Sequence, residues 1–208
     1  MPYLTGSPWW LRKIYRKFIW NIPTGEKKLF LSFDDGPHPV ATPFVLDELK
    51  KFDALGSFFC IGKNVENYPE IYNRILAEGH AVGNHTHNHV NGFKASDADY
   101  LDNVFKAEPF IHSNLFRPPY GRIKKSQEKK LFEQRPDLKV IMWSVLSGDF
   151  DTGMNGRQCF NIVKKNAGEG SIIVFHDSEK AFERLRYCLP QTLMYFADKG
   201  YRFEAIVL

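Results

Sequence analysis

Cysteine is scarce here. Cys60, Cys159 and Cys188 are too few and too widely spaced for a disulfide framework, and no C-x-x-C occurs to suggest a zinc knuckle or redox pair. They read as buried or incidental thiols. No run of 18 apolar residues exists, so a transmembrane helix is not expected. The N-terminus lacks the uninterrupted apolar core of a signal peptide, and the expectation is a cytoplasmic or membrane-peripheral chain. The net charge is only +4, and no basic stripe is interleaved with base-stacking aromatics, so no nucleic-acid partner is expected. Repeats, low-complexity segments and an internal linker are also missing, and 208 residues suit one domain with a full core.

What is present is apolar and aromatic. Hydrophobic residues make up 43% of the chain and aromatics 15%, with 18 Phe, which favours a packed core over a sugar-stacking groove. The stretch WWLRKIYRKFIW, residues 9–20, has helical period: Trp10, Leu11, Ile14, Tyr15 and Phe18 on one side, Arg12, Lys13, Arg16 and Lys17 on the other. It reads as a helix packed across the domain, with peripheral contact to an anionic membrane as the competing reading. Residues 1–25 are therefore set apart as helix and connector from a catalytic domain over 26–208. From residue 28 onward, short apolar runs alternate with helical patterns. The strands are KLFLSFD, GSFFCIG, HAVGN, LFRPPYG, KVIMWSV, SIIVFHD and YRFEAIVL. About seven apolar strands separated by helices predict a parallel sheet covered by helices, closed or nearly closed into a β/α barrel; an open doubly wound sheet is the alternative.

In such folds functional groups gather where strands end. Here the strands end in Asp34-Asp35, in the run holding His85, His87 and His89, in Arg117–Gly121, in SGDFD and in His176-Asp177. His85 and His89 are four apart, so on one helical turn both rings would face the same way, and two imidazoles with one carboxylate form a common zinc set. His87 would point away, into a supporting position or solvent, and His38, His80 and His112 read as structural or surface residues. One of the paired aspartates can hold a cation while the other takes a proton from water. His176 can donate a proton to a leaving group, with Asp149 raising its pKa. Arg117 can orient the base carboxylate, and the backbone N–H of Tyr120 can meet a developing oxyanion.

Taken in order, SFDDGP (32–37), HTHNH (85–89), RPPYG (117–121), WSVLSGDF (143–150) and IIVFHD (172–177) resemble the five motifs of the polysaccharide deacetylase family, the NodB-homology domain of carbohydrate esterase family 4. The resemblance implies a distorted, incomplete (β/α) barrel in a single α/β domain. It implies Asp34 as general base and Asp35, His85 and His89 as ligands of a divalent metal, usually zinc. Arg117 would position Asp34, Tyr120 would supply the oxyanion amide, and His176 tuned by Asp149 would be the general acid. Pro119, Tyr120, Trp143 and Phe150 are the expected substrate-binding residues. Leu146 and Phe150 depart from the family, which usually carries an acid and a Trp there. The implied activity is hydrolysis of a linear amide: removal of acetyl from an N-acetylglucosamine-containing glycan such as chitin or peptidoglycan. A metal-dependent amidohydrolase of small non-sugar amides and a catalytically silent sugar-binding protein remain as alternatives on the same scaffold.

Overall fold

The computed structural model describes Gly6 and residues 9–208, save the side chains of Trp9, Trp10 and Arg12. Helix α1 (Trp9–Ile14) is followed by β1 (Lys28–Asp34), α2 (Ala41–Lys50), β2 (Gly56–Cys60), α3 (Gly62–Asn67), α4 (Pro69–Ala77) and β3 (Ala81–Asn84). Next come α5 (Asp97–Ala107), β4 (Leu115–Phe116), a 3-10 turn at Pro119–Gly121, α6 (Lys125–Gln134), β5 (Lys139–Val140) and β6 (Val145–Leu146). Helix α7 (Gly156–Asn166), β7 (Ile172–His176), α8 (Glu179–Asp198) and β8 (Arg202–Phe203) complete the chain.

All strand pairs are parallel, and the order across the sheet is β5-β4-β3-β2-β1-β7-β6, with β8 beside the start of β1. The two ends of that order, β5 and β6, are one stretch of chain. The expected single strand KVIMWSV pairs with β4 at its start and with β7 at its end, breaking between the two. One stave thus serves both edges, and the sheet curls into an incomplete barrel of about seven strands.

The N-terminal segment fills the seam. Ile19 bridges to Ile141, donating to Val140 O at 2.9 Å and accepting from Met142 N at 2.7 Å, while Asn21 bridges to Ser171. The expected helix over residues 9–20 stops at Ile14 because the chain then extends to make these bonds. Ile14, assigned to the apolar side, is 53% exposed. Leu11, Tyr15, Phe18 and Trp20 do pack inward against Phe116, Leu131 and Val140, and the Trp10 side chain lies outside the described residues.

Alternation along the strands sorts the core. Leu29, Leu31 and Phe33 of β1 face Val45, Leu46 and Leu49 of α2 and Leu185, Leu189 and Leu193 of α8 in the helix layer. Phe30, Phe59, Leu115, Ile141, Ile172 and Ile206 fill the lower part of the barrel. Cys60, Cys159 and Cys188 are free and buried, as expected. Ser96 caps α5, its Oγ accepting from Asp99 N at 3.2 Å. Among the described residues, no helix is long and apolar enough to cross a membrane.

Candidate active site

Inward-facing positions change character toward the upper rim. On β1 they run Phe30, Ser32, Asp34; on β7, Ile172, Val174, His176. The neighbouring strands bring His85 and Arg117 to the same level, and Asp149 follows β6. These groups meet at a cavity of about 1160 Å³, lined by Asp34, Asp35, His85, His89, Tyr120, Trp143, Leu146, Phe150 and His176. Leu11, Tyr15 and Trp20 line it too, a contribution of the N-terminal segment that the motifs did not signal. Pro119, expected to touch substrate, is buried and does not line the cavity; it supports the turn that carries Tyr120.

The neighbouring aspartates part because Asp35 is left-handed, with φ of 81°. That turn is held from three sides: Asn64 Nδ2 donates to Asp35 O at 2.7 Å, Ile61 N to Gly36 O at 2.9 Å, and Gly36 N to Asp177 Oδ1 at 3.1 Å. A Cβ on Gly36 would lie 2.1 Å from Asp177 Oδ2, so only glycine fits. Helix α3, which supplies Asn64, was not singled out from the sequence, and Asp177 was named at its strand end without a role.

Asp34 accepts from Arg117 Nη1 at 2.6 Å, and Arg117 is wholly buried. The guanidinium also donates to Ser32 Oγ (2.9 Å), Ile141 O (3.0 Å) and Met142 O (3.0 Å), and lies 3.9 Å over the Phe59 ring. Burial lowers the Arg117 pKa and Asp34 opposes that shift, so a cation is retained inside the barrel. Ser32, two residues before Asp34 on the inward face, is a further site residue that the sequence reading passed over.

Asp35, His85 and His89 offer ligand atoms within 4.8 Å of one another. Their convergence does not come from a helical turn: residues 85–89 form a loop in which Thr86 (φ 63°) and His89 (φ 55°) are left-handed. The first N–H groups of α3 stitch this loop in place, Gly62 N donating to Thr86 O and Lys63 N to His87 O, and Asn103 of α5 accepts from Asn88 N. His87 turns away as expected, but it is buried beside Phe110 rather than solvated. His38 Nδ1 accepts from Val40 N and Ala41 N at the start of α2, and His80 Nδ1 accepts from Gly56 N; both are structural.

The donor set fits a divalent cation. His85 Nδ1–H donates to Arg117 O at 2.7 Å, which fixes the tautomer and leaves Nε2 for a ligand. That Nε2 is 3.7 Å from Asp35 Oδ1, and His89 Nε2 is 3.1 Å from it. Asp35 Oδ1 is nonetheless buried without an aligned hydrogen bond. Burial would raise the Asp35 pKa, but the closeness of His89 and the charge of His176 hold it well below the usual carboxylate range. Burial pushes His85 down to about 4, keeping it neutral and available as a ligand.

At the opposite wall, Asp149 accepts twice from one residue: His176 N at 2.8 Å and His176 Nδ1 at 2.7 Å. Burial lowers the His176 pKa, but the Asp149 charge and hydrogen bond outweigh it and raise the imidazole to about 9. Phe150 sits edge-on to that ring at 5.1 Å. Tyr120 has φ of 60°, its ring is 4.6 Å from His89, and its N–H finds no acceptor among the described residues.

Comparison with known proteins gives the family. Residues 21–133, more than half the chain, match the model of the family described as polysaccharide deacetylase. This chain belongs to the polysaccharide deacetylase family. A peptidoglycan-N-acetylglucosamine deacetylase of Bacillus cereus is 33% identical over 193 residues, covering 90% of each protein. A chitooligosaccharide deacetylase of Azorhizobium caulinodans is 32% identical over 164 residues, covering 76% of this chain and 77% of that one. Among solved structures, a peptidoglycan N-acetylglucosamine deacetylase in complex with 4-naphthalen-1-yl-N-oxidanyl-benzamide superposes with a TM-score of 0.86 at 29% identity, covering 96% of this chain and 95% of that one. The polysaccharide deacetylase assignment carries the fold and the carbohydrate-deacetylase class of hydrolase.

Proposed function

We propose that this deacetylase is metal-dependent and removes the N-acetyl group from an N-acetylglucosamine-containing glycan, chitin-like or peptidoglycan, with release of acetate. The observation that carries the reading is the division of labour between neighbouring carboxylates. Asp34 is bound by a buried arginine, while Asp35 turns a buried oxygen, without an aligned hydrogen bond, toward two imidazoles. The relatives named for peptidoglycan and chitooligosaccharide support the glycan.

Asp35, His85 and His89 would hold the cation, with zinc suited to two imidazoles and a carboxylate. When bound, a divalent cation supplies Lewis acidity that acidifies water and polarises the acetyl carbonyl. Asp34, oriented by Arg117, accepts the proton of the attacking water. The N–H of Tyr120 donates to the oxygen that gains charge as the carbonyl becomes tetrahedral. His176, protonated at neutral pH through Asp149, hands its proton to the departing amine. The aromatic walls at Trp143 and Phe150 and the ring of Tyr120 offer apolar faces to the sugar.

Acetate release tests this reading. Chitooligosaccharides and peptidoglycan fragments are compared with small acetylated amines, using protein as purified, stripped of metal and reloaded with zinc. Release from the glycans that disappears on stripping and returns with zinc is expected. Release confined to small amines, or unchanged by stripping, overturns it.

A further inference from the structure

The seam of the barrel contains a rung that the backbone does not fill. β4 and β5 are in parallel register, Leu115 with Lys139 and Phe116 with Val140. Along it, Lys139 N donates to Asn114 O at 2.7 Å and Ile141 N to Phe116 O at 2.8 Å. In a parallel ladder the next rung runs from the N–H of residue 118 to Ile141 O. Residue 118 is proline, with φ of −68° and ψ of 130°, so the strand geometry continues but the donor is missing. A buried carbonyl left without a partner is costly. Here the preceding side chain takes the place of the backbone: Arg117 Nε donates to Ile141 O at 3.0 Å.

We propose that Pro118 is a positioning residue for the deacetylation reaction: by withholding a backbone N–H it reserves Ile141 O for Arg117 Nε, and so fixes the guanidinium that grips Asp34. The fork of Arg117 is planar, so anchoring Nε determines where Nη1 points. With Nε on Ile141 O and Nη2 on Met142 O, Nη1 is aimed at Asp34 Oδ1 and Ser32 Oγ. An amide at residue 118 would take the in-ladder direction at Ile141 O, where Arg117 Nε now sits, and turn the guanidinium away from its place. The N-terminal segment holds the same stretch of backbone from the other side, since Ile19 N donates to Val140 O and Met142 N donates to Ile19 O. The catalytic consequence rests on the reading of Asp34 as base, whereas the reservation of Ile141 O does not.

Two variants of the full chain separate the missing N–H from the ring. Pro118→Ala restores the donor at a backbone geometry that alanine adopts freely. Incorporation of N-methylalanine at position 118 by suppressor-based translation removes ring and donor together and keeps the Arg117 amide carbonyl that His85 uses. Hydrogen exchange of the Arg117 Nε–H, read by ¹⁵N NMR, should be slow in the parent and the N-methylalanine variant and about tenfold or more faster in Pro118→Ala. The kcat for acetate release should fall about tenfold in Pro118→Ala with KM within about twofold, and the N-methylalanine variant should stay near the parent. Exchange unaltered in Pro118→Ala, or an N-methylalanine variant as impaired as the alanine one, overturns the proposal. Faster exchange with unchanged kcat overturns the catalytic role. A parent that releases no acetate refutes the deacetylase reading instead, and the exchange measurement still decides whether Pro118 reserves the carbonyl.

Discussion

The two faces of β1 are held together by different physics. Outward, Leu29, Leu31 and Phe33 are 0% exposed and sit among aliphatic side chains of α2 and α8. That face depends on volume and area, and neighbouring apolar residues are interchangeable to first order. Inward, Phe30, Ser32 and Asp34 pass from apolar to charged in three alternate positions. The Asp34 end depends on directed contacts with a single buried arginine. One strand thus carries stability on one side and chemistry on the other, and substitutions on its two faces should separate the two properties.

Asp34→Asn is expected to have the largest effect, lowering kcat for acetate release by roughly a thousandfold, within the range for loss of a general base. Bound metal, measured by elemental analysis, should be retained because Asp35, His85 and His89 are untouched. Substantial turnover in this variant would remove the base assignment. Leu31→Ala, on the opposite face, should do the reverse. It should destabilise the fold by about 2–5 kcal/mol in urea titration through loss of buried contacts and the cavity left behind. Its kcat per folded molecule should stay within about twofold. A large fall in kcat with full stability would show that the two faces are not separate.

The division between faces is also a division in what could be read from the sequence. The apolar run KLFLSFD placed Asp34 at the end of β1, and the order of motifs placed Asp35, His85, His89, Arg117, Asp149 and His176 together. Such patterns are legible because one apolar face must be buried along a strand. The route by which His85 and His89 converge was not legible. Helical spacing was the available signal, whereas the chain uses left-handed Thr86 and His89, conformations that a β-branched residue rarely takes and that α3 and α5 impose from outside. The break within residues 139–145 was hidden for a similar reason. Its sequence is uniformly apolar, and only the competing edges of β4 and β7 divide it. Extension of residues 19–22, after a turn at 15–17, follows from the unfilled seam, a tertiary demand that overrides local helical periodicity.

Asp149→Asn tests the inner face at its other wall. Asp149 raises His176 to about 9, above the ordinary 6.5. A folded-state pKa raised in this way contributes stability that is complete below about pH 6.5 and is lost as pH rises through about 9. The parent should therefore lose activity on the alkaline side near that value, as the acid deprotonates. Asn removes the charge but preserves most of the shape. The alkaline limb should move toward the ordinary histidine value, costing about tenfold in kcat near pH 8, where the parent is still protonated. A limb that stays put would mean that it reports another group.

The smallest effect is expected at Asp177, which is buried and does not line the cavity. Its Oδ1 accepts from Gly36 N and its Oδ2 from Thr42 Oγ1 at 2.5 Å, and Thr42 Oγ1 in turn accepts from His38 N. Burial, with Asp35 and Asp34 adding repulsion, raises this carboxyl from 3.8 to about 8. The folded chain then keeps a proton that the unfolded chain releases, so stability falls as pH rises from about 4 to about 8 and levels off above. In Asp177→Asn the side-chain carbonyl would still accept from Gly36 N, and the new amide could donate to Thr42 Oγ1 without the ionisation. This substitution should leave kcat within about twofold and flatten the stability–pH slope of metal-stripped protein by about 1 kcal/mol per pH unit. Urea titrations at several pH values decide it. An unchanged slope would mean that Asp177 is ionised in the fold, and that the turn carrying Asp34 and Asp35 is held by a charge rather than by a neutral acid.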